Sequence, residues 1–163
     1  MILVLMGVSG SGKTEIGRRL ATELNWPFYD ADDFHSPENI RKMAQGEPLT
    51  DQDRAPWLAA LHDLMAAIER KEGDAVLACS ALKRAYRDHL RRAGEDVTFV
   101  YLKGDLGTLR SRLEAREDHY MKAGMLTSQI EVLEEPHNAL YVDIDRTPEE
   151  IVAQIIGAIR LKE

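Results

Sequence analysis

The stretch GVSGSGKT at residues 7–14 constrains this chain more than any other feature. It has the spacing G-x-x-x-x-G-K-[ST], it follows the apolar run Ile2–Met6, and it opens a helical stripe of Ile16, Leu20 and Leu24. Strand, glycine-rich turn and helix in that order aim successive backbone N–H groups and a positive helix N-terminus at one anion. Gly7, Val8, Ser9, Gly10, Ser11, Gly12, Lys13 and Thr14 are therefore expected to wrap the phosphates of a nucleoside triphosphate. Lys13 would reach the β- and γ-phosphates, and the Thr14 hydroxyl would take a Mg²⁺ position. The alternative is a Gly/Ser-rich turn without a ligand, which the strand–helix context disfavours.

The rest of the chain repeats the same alternation. Ala75–Ala78, residues 98–102 and Leu140–Asp143 are continuous apolar runs, with a shorter candidate at 27–29. Unbroken runs of this length suit strands buried on both faces of a parallel sheet. Between them lie stripes of helical period: Leu58, Leu61, Met65 and Ile68; Leu106, Leu109 and Leu113; Ile151, Val152, Ile155, Ile156 and Ile159. Thr147, Pro148 and Glu150 read as N-cap, N1 and N3 of the last helix. The pattern predicts right-handed β–α–β crossovers and one three-layer α/β domain over 1–163, with no linker to divide it. Two stretches break the rhythm, the polar segment 30–56 and the charged segment 115–128, and both are expected to be active-site loops or lids.

Composition limits the partners. With 28 acidic and 21 basic residues the formal charge is −7, which excludes general nucleic-acid binding and adhesion to an anionic membrane surface. The apolar opening is far shorter than the roughly 20 residues of a membrane span and lacks the layout of a secretion signal. Cys79 is the single cysteine, so no intramolecular disulfide forms, and its expected place is the core. A cytoplasmic setting is expected.

Within the triphosphate-binding world, no N-K-x-D base reader and no D-x-x-G switch is present, which sets GTPases aside. The chain is also too short for a motor. A small phosphotransferase remains, and it needs an acceptor-side carboxylate, an acceptor anchor and cations over the transferring group. Asp30 and Asp32 follow the second strand at the ligand edge of the sheet, where strand alternation would send both to one side. One is expected to hold Mg²⁺ through water and the other to take the acceptor proton, though the same acids would serve as a solvated, helix-capping turn. Arg54, just before the second helix, can clamp a carboxylate beside Trp57, or pair locally with Asp51 or Asp53. Ser80 and Lys83 follow the third strand at the same edge, with Ser80 near the Mg²⁺ shell and Lys83 near acceptor or phosphate. Arg112 and Arg116 lie one helical turn apart at the entry to the lid; a salt-bridged exposed face would look the same. His119 is a candidate substrate contact, while His35, His62, His89 and His137 lack zinc-ligand spacing.

These residues resemble a known family. DADDFHSPENIRKMAQGEPLTDQDRAPWL over 30–58, ACSALKRAYRDHLR over 78–91, FVYLKGD over 99–105 and REDHYMKAGMLTSQIEVLEEP over 116–136 stand in the order of the bacterial-type gluconokinases. The resemblance covers most of residues 2–145, and the first two of these blocks, over 30–58 and 78–91, are its specific part. It implies a P-loop NTPase fold like that of adenylate and shikimate kinases, with a five-stranded parallel sheet and a lid at about 117–128. It implies ATP and Mg²⁺ as cofactors, D-gluconate as small-molecule substrate and, from the usual state of the family, a homodimer. Lys13, Asp32 and Arg116 would be catalytic. Arg112 would bind nucleotide, Arg54, Lys83 and His119 with Asp32 would bind gluconate, and Thr14, Asp30 and Ser80 would serve the metal. Two departures stand out: Ala31 replaces the usual glycine, and the segment after Pro136 is short, in a loop that this fold sets near the adenine. A kinase for another small acid, or a nucleotide-binding module without turnover, are the competing readings.

Overall fold

The computed structural model describes residues 1–116 and 125–162. The strand starting at Ile2 runs to Met6 (β1) and is followed by Lys13–Leu24 (α1), Phe28–Asp30 (β2) and a 3-10 turn over Ala31–Phe34. Pro37–Ala44 (α2), Asp51–Arg70 (α3), Ala75–Ala78 (β3), Arg84–Arg91 (α4) and Val97–Lys103 (β4) come next. Leu106–Glu114 (α5), Met125–Val132 (α6), Leu140–Asp143 (β5) and Pro148–Arg160 (α7) complete the order. The five strands form one parallel sheet in the order β2-β3-β1-β4-β5, as expected of the three-layer α/β architecture.

The sheet's two faces explain the unbroken apolar runs. Leu3 and Leu5 of β1 pack with Ile16 and Leu20 of α1, Leu109 and Leu113 of α5, and Ile151 and Ile155 of α7. Ile2, Val4 and Met6, pointing the other way, pack with Trp57, Leu61 and Met65 of α3 and Tyr86 and Leu90 of α4. Alternation is therefore present, but both sides are dry, so every position of β1 is apolar. Leu106 belongs to the predicted stripe of α5 yet is 45% exposed, because it opens the helix before the chain meets the sheet.

Helix caps confirm the predicted start of α7. The Thr147 hydroxyl accepts from the Glu150 N–H at 3.2 Å, and the Glu150 carboxylate accepts from the Thr147 N–H at 3.2 Å. Residues 30–56, expected as a polar loop, are instead mostly helical. Ser36 caps α2 by accepting from the Asn39 N–H, and Thr50 and Asp53 form a reciprocal capping box that starts α3. Arg54 thus lies inside the first turn of α3 rather than before it. The short helices α2, α4 and α6 escape a periodicity reading because each buries too few apolar side chains to draw a stripe.

Candidate active site

A cleft opens at the C-terminal edge of the sheet, where β1, β2 and β3 deliver the chain into loops. This is the edge at which open α/β sheets bind ligands. Its floor is the glycine-rich loop. Gly10 adopts φ +84°, and a Cβ placed there would stand 2.8 Å from the Leu109 carbonyl oxygen, so no other residue fits without displacing α5. Gly12, at φ +93°, precedes α1 and leaves its first N–H groups facing the cleft. Ser9, Gly10, Gly12, Lys13 and Thr14 line the cleft. Gly7, Val8 and Ser11 hold the loop from below: the Gly7 N–H donates to the Ser80 carbonyl at 3.3 Å, and the Val8 carbonyl accepts from Lys13 Nζ at 3.1 Å.

Burial pushes the Lys13 ammonium below its ordinary range, and the nearby carboxylates of Asp32 and Asp30 oppose that shift. A partly desolvated cation at the end of a phosphate-binding loop is ready for an anionic ligand. Thr14 Oγ1 donates to Asp30 Oδ2 at 2.9 Å, and the other Asp30 oxygen accepts from the Asp32 N–H at 3.0 Å. Hydroxyl and carboxylate oxygens are hard donors of the kind that suits Mg²⁺, which keeps most of its shell as water and phosphate. Among the described residues, no group of three or more His, Cys, Asp or Glu side chains is arranged to hold a metal.

Asp30 and Asp32 both line the cleft, though not by strand alternation. β2 ends at Asp30, and Asp32 is carried by the 3-10 turn that Asp30 caps. Trp57 walls the site as expected, with its Nε1 donating to the Ala31 carbonyl at 2.6 Å and its ring stacked on His35 at 4.3 Å. Arg54 lines the cleft, and its Nη1 donates to the Leu49 carbonyl at 2.8 Å and to the Tyr86 hydroxyl at 3.1 Å. Neither local acid takes it as a hydrogen-bond partner, because each is engaged elsewhere. Asp51 accepts from Lys83 Nζ at 2.9 Å and from the Tyr86 hydroxyl, while Asp53 serves the helix cap and Lys42. Those bonds hold both carboxyls below the usual range.

Lys83 is the sequence candidate that stands apart. It does not line the cleft, and it forms the outer end of a chain that runs through Asp51 and Tyr86 to Arg54. Ser80 and Arg116 do line the cleft. Arg112 reaches its loop from the side: Nη2 donates to the Ile144 carbonyl at 3.0 Å, and a Cβ on Gly12 would lie 3.7 Å from Nη1. His119 and most of the expected lid, residues 117–124, lie outside the described residues. Cys79 is buried in the core, and burial pushes its thiol up to about 12.

Sequence reasoning missed three cleft residues of chemical interest. Gln129 of α6 is buried, and its Oε1 accepts from the Ser9 N–H at 2.7 Å, tying α6 to the phosphate loop. His35 and Met43 reach the cleft from the segment that read as a loop. A polar residue among Leu126, Ile130 and their neighbours is a usable signal for Gln129, but only once the buried face of α6 is known.

Residues 9–160 match the sequence model of the family described as shikimate kinase. Over 98% of this chain and 93% of the relative, it is 47% identical to the thermoresistant gluconokinase of Escherichia coli K12. It is 45% identical to a probable gluconokinase of Xenopus tropicalis, covering 99% and 95% of the two chains. Among solved structures, a sugar kinase of Janibacter sp. HTCC2649 superposes with TM-score 0.92 at 42% identity, over 98% of this chain and 94% of that one. A gluconokinase of Sinorhizobium meliloti 1021 follows with TM-score 0.84 at 39% identity, over 99% and 96%. The shikimate kinase of Aquifex aeolicus, at 20% identity and TM-score 0.62 over 99% and 98%, shares the fold. With a phosphate loop, an acid-lined cleft and near full-length likeness all in agreement, the chain belongs to the gluconokinase family of ATP-dependent phosphotransferases.

Proposed function

We propose that this chain is a gluconokinase, which transfers the γ-phosphoryl of ATP to the 6-hydroxyl of D-gluconate and yields 6-phospho-D-gluconate and ADP. The observation that carries this reading is one cleft holding both halves of the chemistry, Lys13 and Thr14 on the nucleotide side and Asp32 and Arg54 on the acceptor side. The loop N–H groups and Lys13 hold the β- and γ-phosphates, and Arg112 flanks the nucleotide at Gly12. Asp32 accepts the proton of the attacking hydroxyl, which raises its nucleophilicity as the bond to phosphorus forms. Arg54 meets the acceptor carboxylate, with Lys83 orienting it through Asp51 and Tyr86. Arg116 offsets charge that develops on the transferring group. Mg²⁺ held by Thr14, Asp30 and Ser80 would supply further charge neutralisation. From the family resemblance we also infer a cytoplasmic homodimer.

The match to the shikimate kinase family model over residues 9–160 makes shikimate the acceptor to exclude. ADP release measured with D-gluconate, shikimate, glycerate and nucleoside monophosphates in turn tests the reading. Gluconate should give the highest kcat/KM; turnover that ignores gluconate, or prefers another acceptor, overturns it.

A further inference from the structure

His35 sits at the end of the 3-10 turn that carries Asp32, and its backbone N–H donates to the Asp32 carbonyl at 3.2 Å. The imidazole lines the cleft. One face is covered by Trp57, with ring centroids 4.3 Å apart and planes 12° from parallel. Two of its freedoms, position and tilt, are thereby set by the same indole that braces the Asp32 turn through the Ala31 carbonyl.

The proton on the ring is set as well. Asn39 Nδ2 lies 2.9 Å from the Asp53 carbonyl oxygen and 3.3 Å from His35 Nδ1. A peptide carbonyl only accepts, so the amide nitrogen, and not its oxygen, must face Asp53. That nitrogen has two hydrogens and no lone pair to offer; the second hydrogen therefore points at Nδ1, which must accept. An imidazole that accepts at Nδ1 carries its proton on Nε2. Burial first, and the Arg54 guanidinium second, hold the ring pKa down to about 4, so this neutral tautomer is the form present near neutral pH. Asn39 is 5% exposed, and burial leaves its side-chain amide little room to turn.

With one face stacked and Nδ1 satisfied, what the ring has left to offer a ligand is a neutral Nε2–H. The cations Lys13, Arg54 and Arg116 already line the cleft, so the charge of an acid or a phosphoryl group does not need a fourth. A neutral donor with fixed orientation suits a hydroxyl oxygen, and a site built to donate to such an oxygen discriminates strongly against an analogue that lacks it. We propose that His35 is an acceptor-binding residue whose Nε2–H donates to a hydroxyl oxygen of the sugar acid, and that Asn39 is the positioning residue that fixes its tautomer. This rests on the phosphotransferase reading above for the identity of the acceptor, but the tautomer does not.

Three variants and a set of spectra test it. His35→Phe keeps a ring against Trp57 and removes the donor; KM for gluconate should rise roughly tenfold, the scale of one hydrogen bond, with KM for ATP unchanged. His35→Gln carries an amide nitrogen at similar reach and should recover most of that loss. Equal impairment of both variants would mean packing alone matters, and wild-type KM in both would mean no contact; either overturns the proposal. In the wild-type protein, long-range ¹H–¹⁵N correlation spectra should show His35 protonated at Nε2, and in Asn39→Asp the proton should move to Nδ1 while KM for gluconate rises as in His35→Phe. A wild-type proton on Nδ1 overturns the proposal even if gluconate is turned over. If gluconate is not turned over by the wild type, the functional reading falls, and the spectrum still decides the tautomer.

Discussion

Asp32, the proposed proton acceptor, is placed by the way its backbone is held. Asp30 caps the turn through the Asp32 N–H, and Trp57 grips the Ala31 carbonyl one residue earlier, so the carboxylate is fixed in the same cleft as Lys13. Asp32→Asn keeps shape and removes the proton acceptor; kcat should fall by about 10²-fold or more while nucleotide binding persists. Steady-state kinetics with an ATP-binding titration measure both, and near-wild-type kcat would remove the base assignment. Both acids were readable as ligand-edge residues because they follow the candidate run 27–29 by one and three positions. Their geometry was not, because the capping bond that ends β2 after Asp30 depends on local hydrogen bonding that alternation does not describe. Lys83 shows the converse: its chemistry suggested the cleft, and Asp51, 32 positions earlier, holds it at the outer end of a polar chain.

At the scale of elements, two stretches of chain far apart in sequence are tied together by a buried guanidinium. Arg87 of α4 is 4% exposed; its Nη1 donates to the carbonyls of Ala81 and Leu82, at 2.8 and 3.0 Å, and Nη2 donates to that of Glu134 at 2.7 Å. It therefore clamps the loop after β3, in which Ala81 takes the left-handed φ of 45°, to the chain just beyond α6. Arg87→Met would leave three carbonyls short of a donor, and urea denaturation should show a loss of about 3 kcal/mol. A change under about 0.5 kcal/mol would show that water replaces the guanidinium. Nothing in the periodicity marks Arg87: it lies among Arg84, Arg91 and Arg92, and only the packing of α4 against the sheet selects which one is buried. The predicted stripes of α1, α3 and α7 are visible beforehand for the opposite reason, since three or more turns of one helix each contribute an apolar side chain.

Across the whole molecule, an acidic shell of net charge −7 surrounds a cleft lined by Lys13, Arg54 and Arg116, with Arg112 alongside. Total charge thus describes the surface and conceals the sign of the site. The acid stability of the domain carries the mark of His35. Its pKa is about 4 in the fold against an ordinary 6.5, so the unfolded chain takes up the proton first as pH falls. His35 ionisation leaves stability unchanged above 6.5, and stability then falls progressively as pH drops from there to about 4. Asp51, Asp53 and Asp105 are held below 3.8, so what they add is retained over that interval and is lost only as pH falls through their lower native values. Urea unfolding at pH 7 and at pH 4.5 should show a smaller difference for His35→Phe than for the wild type; an equal difference would place the acid sensitivity elsewhere.

The phosphate loop, the buried strands, the long helix stripes and the α7 cap can all be read from residues close together in the chain, because backbone period and capping act over one to four positions. The cleft itself could not be read that way. Gln129 meets Ser9 across 120 positions, Trp57 meets Ala31 across 26, and Asn39 meets Asp53 across 14. Those encounters follow from the strand order β2-β3-β1-β4-β5 and from the helices that cover its two faces, and a distance set by topology leaves no trace in local pattern.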